Sequence, residues 1–219
     1  MSQADSFIEE VNEEVRREKL FSLLRKYGWI GIAAVVLLVG GAGWNEYRKA
    51  SDKAAAEALG DSVLAAVEKP DDDARIAALG EIPADGAAAS VVGLLTAAQQ
   101  LTADDPAAAA EILRPLAADT SLSVVYSDLA ALKMVLLGEA AFTPEDRAQV
   151  LDRLAQPGAP YRNLALEQKA LDLAAAGKTD EAVAAARSLL EEPGLTQGLM
   201  QRVVQLIVAL GADVAEEAG

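Results

Sequence analysis

The feature that most constrains this chain is an uncharged run near its amino terminus, from Tyr27 to Trp44. As a helix its 18 residues would extend about 27 Å, close to the hydrocarbon thickness of a bilayer. Aliphatic residues fill its centre, and aromatic residues stand at both ends: Tyr27 and Trp29 on one side, Trp44 and Tyr47 on the other. Interfacial aromatic belts take these places in membrane proteins. The run therefore predicts a single transmembrane helix.

Two other interpretations of this run are a buried core helix and a cleaved signal peptide. A buried helix does not need aromatic and basic residues at both ends. A signal peptide has a short basic start and small residues at its cleavage site. Here the apolar run follows a long, partly acidic leader and ends at the large Trp44. An uncleaved anchor fits these observations best.

Basic residues flank the predicted anchor unequally. The leader supplies Arg16, Arg17, Lys19, Arg25 and Lys26, and the far side supplies Arg48, Lys49 and Lys53. The cytoplasmic flanks of membrane helices carry an excess of Lys and Arg. This difference therefore predicts a cytoplasmic amino terminus and, in a bacterium, an inner-membrane protein with a periplasmic domain. The predicted divisions are a cytoplasmic amphipathic leader at 1–26, an anchor at 27–44 and a periplasmic domain at 45–219.

Apolar residues of the leader, among them Ile8, Val11 and Val15, recur at helical spacing. They indicate an amphipathic helix. This helix is either solvated and continuous with the anchor, or docked through its apolar stripe on a partner or on the inner membrane surface.

Composition predicts an all-α protein. Hydrophobic residues make up 52% of the chain but aromatics only 4%, so most of the apolar content is Ala, Leu and Val, which favours closely packed helices. The net charge is −15, and residues 50–219 carry 12 basic and 27 acidic side chains. A surface this acidic repels nucleic acid, so no nucleic-acid partner is expected.

No catalytic, cofactor or metal site is expected. The chain contains no Cys and no His, which excludes thiol nucleophiles, histidine bases and the usual zinc sites. The letters GKT at 177–179 resemble part of a phosphate-binding loop, but Asp172 stands where the first glycine of that loop is required. We therefore expect a protein that is not an enzyme.

Three helix starts recur along the predicted domain, at Asp105-Pro106, Thr143-Pro144 and Thr179-Asp180. They are 38 and 36 residues apart, and each is preceded by another apolar helical segment. A capping residue with Pro at the first helical position is typical of a helix start. The spacing therefore predicts three helical hairpins in series, a period that belongs to helical repeat arrays.

The best copy of the repeat lies at residues 164–194. On the tetratricopeptide pattern, Ala170 and Ala182 take the two small positions where paired helices touch, Leu173 takes the tyrosine position and Gly177 the turn. The helix from residue 196 would cap the stack. Stacked hairpins form a concave surface that binds proteins, and Tyr126, Lys133, Tyr161 and Arg162 are candidate residues of such a partner groove.

In layout, the leader, the single anchor and the degenerate repeat domain resemble the alphaproteobacterial membrane-anchored tetratricopeptide repeat-like proteins. They also resemble the ancillary SecYEG translocon subunit (YfgM-like) family. The resemblance implies a non-enzymatic adaptor of the bacterial inner membrane whose partners are the Sec translocon and periplasmic chaperones. The alternative is an accessory structural subunit of an inner-membrane respiratory or other energy-converting complex, because that role also needs one span and one helical scaffold.

Overall fold

The structure is a computed structural model that describes residues 3–213; the side chains of residues 3–20, 22–24, 28 and 32 lie outside that description. Helices account for 78% of the chain, and no strand occurs between residues 3 and 213. The helices are α1 Gln3–Val67, α2 Asp72–Gly80, α3 Gly86–Thr102, α4 Pro106–Ala118, α5 Val124–Leu136, α6 Pro144–Leu154, α7 Arg162–Ala175, α8 Thr179–Leu190 and α9 Gln197–Ala209, with a short 3-10 helix at Gly138–Ala140 between α5 and α6. The all-α prediction is confirmed.

The chain divides into two compact units, residues 1–58 and residues 59–219. In the described part of the chain, one helical stretch, Trp29–Val67, is long and apolar enough to cross a membrane, judged by length and composition. The predicted anchor at 27–44 shares most of its residues with this stretch. The predicted apolar stripe of the leader, at Ile8, Val11 and Val15, lies outside the described side chains and stays a prediction.

Exposed side chains flank the predicted anchor on α1. Arg25, Lys26, Tyr27, Trp29 and Trp44 are all exposed. The Lys26 ammonium lies 5.5 Å from the centre of the Tyr27 ring, and the rings of Trp44 and Tyr47 have centroids 6.0 Å apart. Amphipathic rings beside cationic side chains are suited to the headgroup level of a bilayer.

In the second unit each helix from α2 onward packs against the next helix along the chain. This neighbour-on-neighbour packing is the signature of a repeat array, in which one hairpin alone cannot bury its apolar face. Helices α3 and α4, α5 and α6, and α7 and α8 form the three predicted hairpins, and α9 follows the last of them. The prediction of helical hairpins in series is confirmed.

Side-chain caps define several helix starts. The carboxylate of Asp71 accepts a hydrogen bond from the Ala74 amide at the start of α2, and that of Asp105 accepts one from the Ala108 amide at the start of α4, both at 2.8 Å. At α6 the Thr143 hydroxyl accepts from the Asp146 amide at 3.2 Å. Each cap satisfies a backbone donor that has no partner inside its helix.

The first helix of each hairpin ends near a residue of positive φ. Ala97, Ala131 and Ala170 are each 1% exposed, and seven residues later the backbone turns into the left-handed region at Asp104, Gly138 and Gly177. The small alanine allows the close helix contact, and the positive φ reverses the chain. The predicted turn at Gly177 has φ +73°.

The turn at Gly177 is a Schellman motif. The Gly177 amide donates to the Ala174 carbonyl and the Lys178 amide donates to the Leu173 carbonyl, both at 3.0 Å. These bonds satisfy two of the carbonyls that the end of α7 leaves without helical partners. After this turn α8 begins at Thr179, and its fourth residue, Ala182, is fully buried. Leu173 is half-buried.

Candidate functional site

Helices α5 and α7 begin successive hairpins, α9 follows the third hairpin, and the three helices run in the same direction. The amino-terminal ends of α7 and α9 meet, because Arg162 and Thr196 line one cavity. Further along, Leu171 and Ala209 line a second cavity, near the ends of the same helices. The last turn of α5, at Leu136, also lines this second cavity. The three helices therefore form one face of the repeat domain.

We call the second cavity the α5–α7–α9 groove. It has a volume of about 630 Å³. Its lining is mainly aliphatic, with two glutamine amides and one ion pair: Leu132, Leu136, Leu164, Glu167, Gln168, Leu171, Arg202, Val203, Gln205, Leu206 and Ala209. An apolar cleft with a few convergent polar groups is the usual form of a binding site.

Two leucines of the groove are left open to solvent. Leu136 is 62% exposed and Leu171 is 39% exposed, whereas Leu132, one turn before Leu136, is 5% exposed. The buried leucine packs into the cluster formed by α5, α6 and α7. Covering a leucine that is left open stabilises a complex by up to about 1.5–3 kcal/mol, so Leu136 and Leu171 are the strongest candidate contacts for a partner.

An ion pair between α7 and α9 borders the groove. The Arg202 guanidinium donates from Nε and Nη2 to the two carboxylate oxygens of Glu167, at 2.7 and 2.8 Å. Glu167 is buried and Arg202 is half exposed. The hydrogen bonds that Arg202 donates to Glu167 raise the pKa of Arg202 above its ordinary value, so the guanidinium stays charged. This pair links the last helix to the third hairpin.

A further cavity, of about 640 Å³, lies where the α6–α7 and α8–α9 loops meet; we call it the loop pocket. Arg162 closes one side of it by binding Glu192, with Nη2 2.6 Å from one carboxylate oxygen. The Asn163 side-chain amide donates to the Pro193 carbonyl at 3.0 Å. Leu164 and Arg202 line both the loop pocket and the groove, so the two cavities adjoin.

Hydrogen bonding changes the acidity of the Arg162–Glu192 pair. The hydrogen bonds that Arg162 donates to Glu192 lower the pKa of Glu192 and raise the pKa of Arg162. Both groups are therefore charged at neutral pH. The pair joins α7 to the end of α8, 30 residues later.

The four residues predicted for a partner groove do not form one cluster. Tyr161 and Arg162 line the loop pocket, and Arg162 is paired with Glu192. Tyr126 and Lys133 are half-buried on α5 and line neither cavity. Burial raises the pKa of Tyr161, and the charges of Asp128 and Tyr126 raise it further.

Sequence reasoning did not single out the groove leucines. It selected aromatic and cationic residues, whereas Leu136 and Leu171 resemble ordinary core residues in an apolar helix. The sequence feature that could have indicated them is on α5, which has more apolar residues than a single buried stripe of a helix requires. Among the described residues, no group of three or more acidic side chains is placed to hold a metal ion.

A family model described as a tetratricopeptide repeat-like domain matches residues 24–207. Domains of this kind are generally non-catalytic modules for protein–protein interaction. The comparisons found no match among curated proteins and none among solved structures.

Proposed function

The chain belongs to the tetratricopeptide repeat-like domain family, and on that premise we propose that it is an adaptor anchored in the bacterial inner membrane by one helix. Its amino terminus is cytoplasmic and its repeat domain is periplasmic. The partners are proteins of that compartment: the Sec translocon or periplasmic chaperones. The α5–α7–α9 groove is the contact site.

The observation that carries this proposal is the pair of open leucines in the groove, Leu136 and Leu171. Apolar side chains that line a cavity and remain accessible are suited to cover the apolar face of a partner. The predicted anchor supports the membrane part of the proposal. It would hold the domain beside membrane partners and so raise its effective concentration, so that weak contacts suffice.

Brief crosslinking in membranes, mild detergent extraction of the full-length protein and quantitative mass spectrometry test the proposal. We compare the native chain with Leu136→Asp and Leu171→Asp. The control is Leu64→Asp on α1, because Leu64 is 58% exposed, close to Leu136 at 62%, and lies outside the groove. We expect translocon subunits or periplasmic chaperones to be enriched with the native chain and the control, and to fall at least about tenfold with either groove variant.

Two outcomes would contradict the proposal. A respiratory complex recovered in fixed ratio, unaffected by the groove variants, would make the protein an accessory subunit of an energy-converting complex. Crosslinks from residues 59–213 to cytoplasmic proteins would show that the orientation is reversed.

A further inference from the structure

We propose that the α5–α7–α9 groove takes a two-turn apolar α-helix that is preceded by basic residues and lies antiparallel to α5, α7 and α9. This inference rests on the proposed function, because it names the partner of the same site. Four features of the groove lead to it: its lining, its length and the charges at its two ends.

The lining favours a helix over an extended segment. The groove walls are side chains of three helices, so they offer no strand edge with open backbone groups. An extended segment in an aliphatic cleft would leave most of its backbone amides and carbonyls without partners, apart from those that Gln168 and Gln205 reach. Each such buried group costs about 1–3 kcal/mol. A helix satisfies its backbone internally and presents an apolar face to the leucines.

The length of the groove sets the length of the bound helix. From Leu164 to Leu171 the groove follows α7 for seven residues, which is about 10 Å at 1.5 Å per residue. Two helical turns match this length. A partner would place two or three apolar side chains against Leu132, Leu136, Leu171 and Leu206.

One end of the groove carries the partial negative charge of helix carboxyl termini. The carboxyl-terminal turns of α5, α7 and α9 come together there, and the last carbonyls of a helix carry partial negative charge. Neither α7 nor α9 has a basic residue in its last turn, whereas α5 has Lys133. The adjoining segments carry Glu139 after α5 and Asp213 after α9, together with two ion pairs, Arg147 with Asp172 and Lys178 with Glu181.

The opposite end carries the partial positive charge of helix amino termini. The amino-terminal ends of α7 and α9 meet there, beside Arg162 and Arg202, which already bind the carboxylates of Glu192 and Glu167. Arg202 is half exposed and borders both cavities, so it can donate to the last carbonyls of a bound helix. Tyr161, at the amino-terminal cap of α7, provides no side-chain cap. The carboxyl-terminal end of a partner helix is therefore favoured at the amino termini of α7 and α9, and its basic amino-terminal flank at the carboxyl termini of α5, α7 and α9, beside Glu139.

The absence of cysteine from the chain makes the orientation measurable by disulfide trapping. The probe is a synthetic amidated helix with two lysines before the run LLALLAAL and one cysteine, placed at either terminus. Single-cysteine variants of the full-length protein in nanodiscs carry Ala175→Cys at the end of α7 or Ala159→Cys in the loop pocket. We expect the probe with an amino-terminal cysteine to trap Ala175→Cys at least tenfold faster than Ala159→Cys, and the other probe to show the reverse preference.

Moving both lysines to the far end of the probe should weaken binding about fivefold at low salt, and the difference should shrink in 0.5 M salt because salt screens charges at exposed ends. Adding Leu136→Asp should weaken binding at least tenfold, whereas Leu64→Asp should not. Equal trapping at both positions, or the opposite preference, would overturn the proposed orientation.

The failure of this inference can be told from the failure of the proposed function. If the probes do not bind but Leu136→Asp still removes partners from membrane extracts, the groove is a contact site for something other than an apolar helix. If the groove variants change neither probe binding nor partner recovery, the proposed function itself is wrong.

Discussion

The hairpins α5–α6 and α7–α8 place very different side chains at the same position, the fourth residue of the second helix. In α8 it is Ala182, which is fully buried, and in α6 it is Arg147, which is half-buried. The first hairpin resembles the third, because the fourth residue of α4 is Ala109, also fully buried. One repeat thus holds a long cation where its neighbours hold a methyl group.

The difference is explained by the helix that follows. Arg147 donates from Nε and Nη2 to the Asp172 carboxylate of α7 at 2.9 Å, and from Nη2 to Gln168 at 3.2 Å. It also donates to the Val135 carbonyl of α5. The helix after α8 is α9, which contains no acidic residue and packs Val203 and Ile207 into the apolar cluster formed by α7, α8 and α9. A cation at this position needs a carboxylate on the next helix.

The largest expected effect comes from moving the cation to the third hairpin. Ala182→Arg puts a long charged side chain at a fully buried position whose following helix offers no carboxylate. Overpacking and desolvation of the charge together should lower the free energy of unfolding by more than about 3 kcal/mol. Urea unfolding of the full-length protein in mild detergent, followed by circular dichroism, measures the loss.

The matched control is Ala184→Arg, two residues further along α8, where the side chain is exposed. It should change the free energy of unfolding by less than about 0.5 kcal/mol. If Ala182→Arg were as stable as Ala184→Arg, the need for a carboxylate on the next helix would be refuted.

A smaller effect is expected from removing the cation in the second hairpin. Arg147→Ala leaves Asp172 and Gln168 without their shared donor, and it should cost about 1–2 kcal/mol because Asp172 stays partly in water. Lys169→Ala breaks another ion pair between α6 and α7, at 2.7 Å to Asp152, but its cation is more exposed than the Arg147 guanidinium and Asp152 is largely exposed. That control should lose less than about 0.5 kcal/mol. Equal losses in the same urea experiment would mean that burial of the guanidinium does not matter.

The sequence predicted the local features of these hairpins better than their contacts. The starts of α4 and α6 follow from Asp105-Pro106 and Thr143-Pro144, because caps act within one turn. The Asp172 partner of Arg147 is 25 residues away, so local pattern cannot identify it. The groove was missed for a similar reason. Helical periodicity marks Leu132 and Leu136 as apolar alike, but which of them is covered depends on where α7 lies.

The turns that end α3 and α7 also differ, and substitutions there should change the free energy of unfolding least. Both turn through the left-handed region and make the same pair of backbone hydrogen bonds, but α3 uses Asp104 at φ +59° where α7 uses Gly177 at φ +73°. No atom outside the turn lies within 4 Å of the place where a Cβ on Gly177 would stand, so only the backbone conformation disfavours a side chain there. This conformation costs an L residue about 1–2 kcal/mol, less for Asp than for most.

Substitutions at these two turn residues measure how much the positive φ contributes to the free energy of unfolding, apart from side-chain packing. Asp104→Gly should raise the free energy of unfolding by about 0.5–1 kcal/mol, because the relief of strain exceeds the extra entropy that glycine gives the unfolded chain. Gly177→Asp should lower it by a similar amount. Both variants should shift the urea midpoint without changing the slope of the transition. A loss of stability in Asp104→Gly would show that the Asp104 side chain stabilises the turn, and that the two hairpins end by different means.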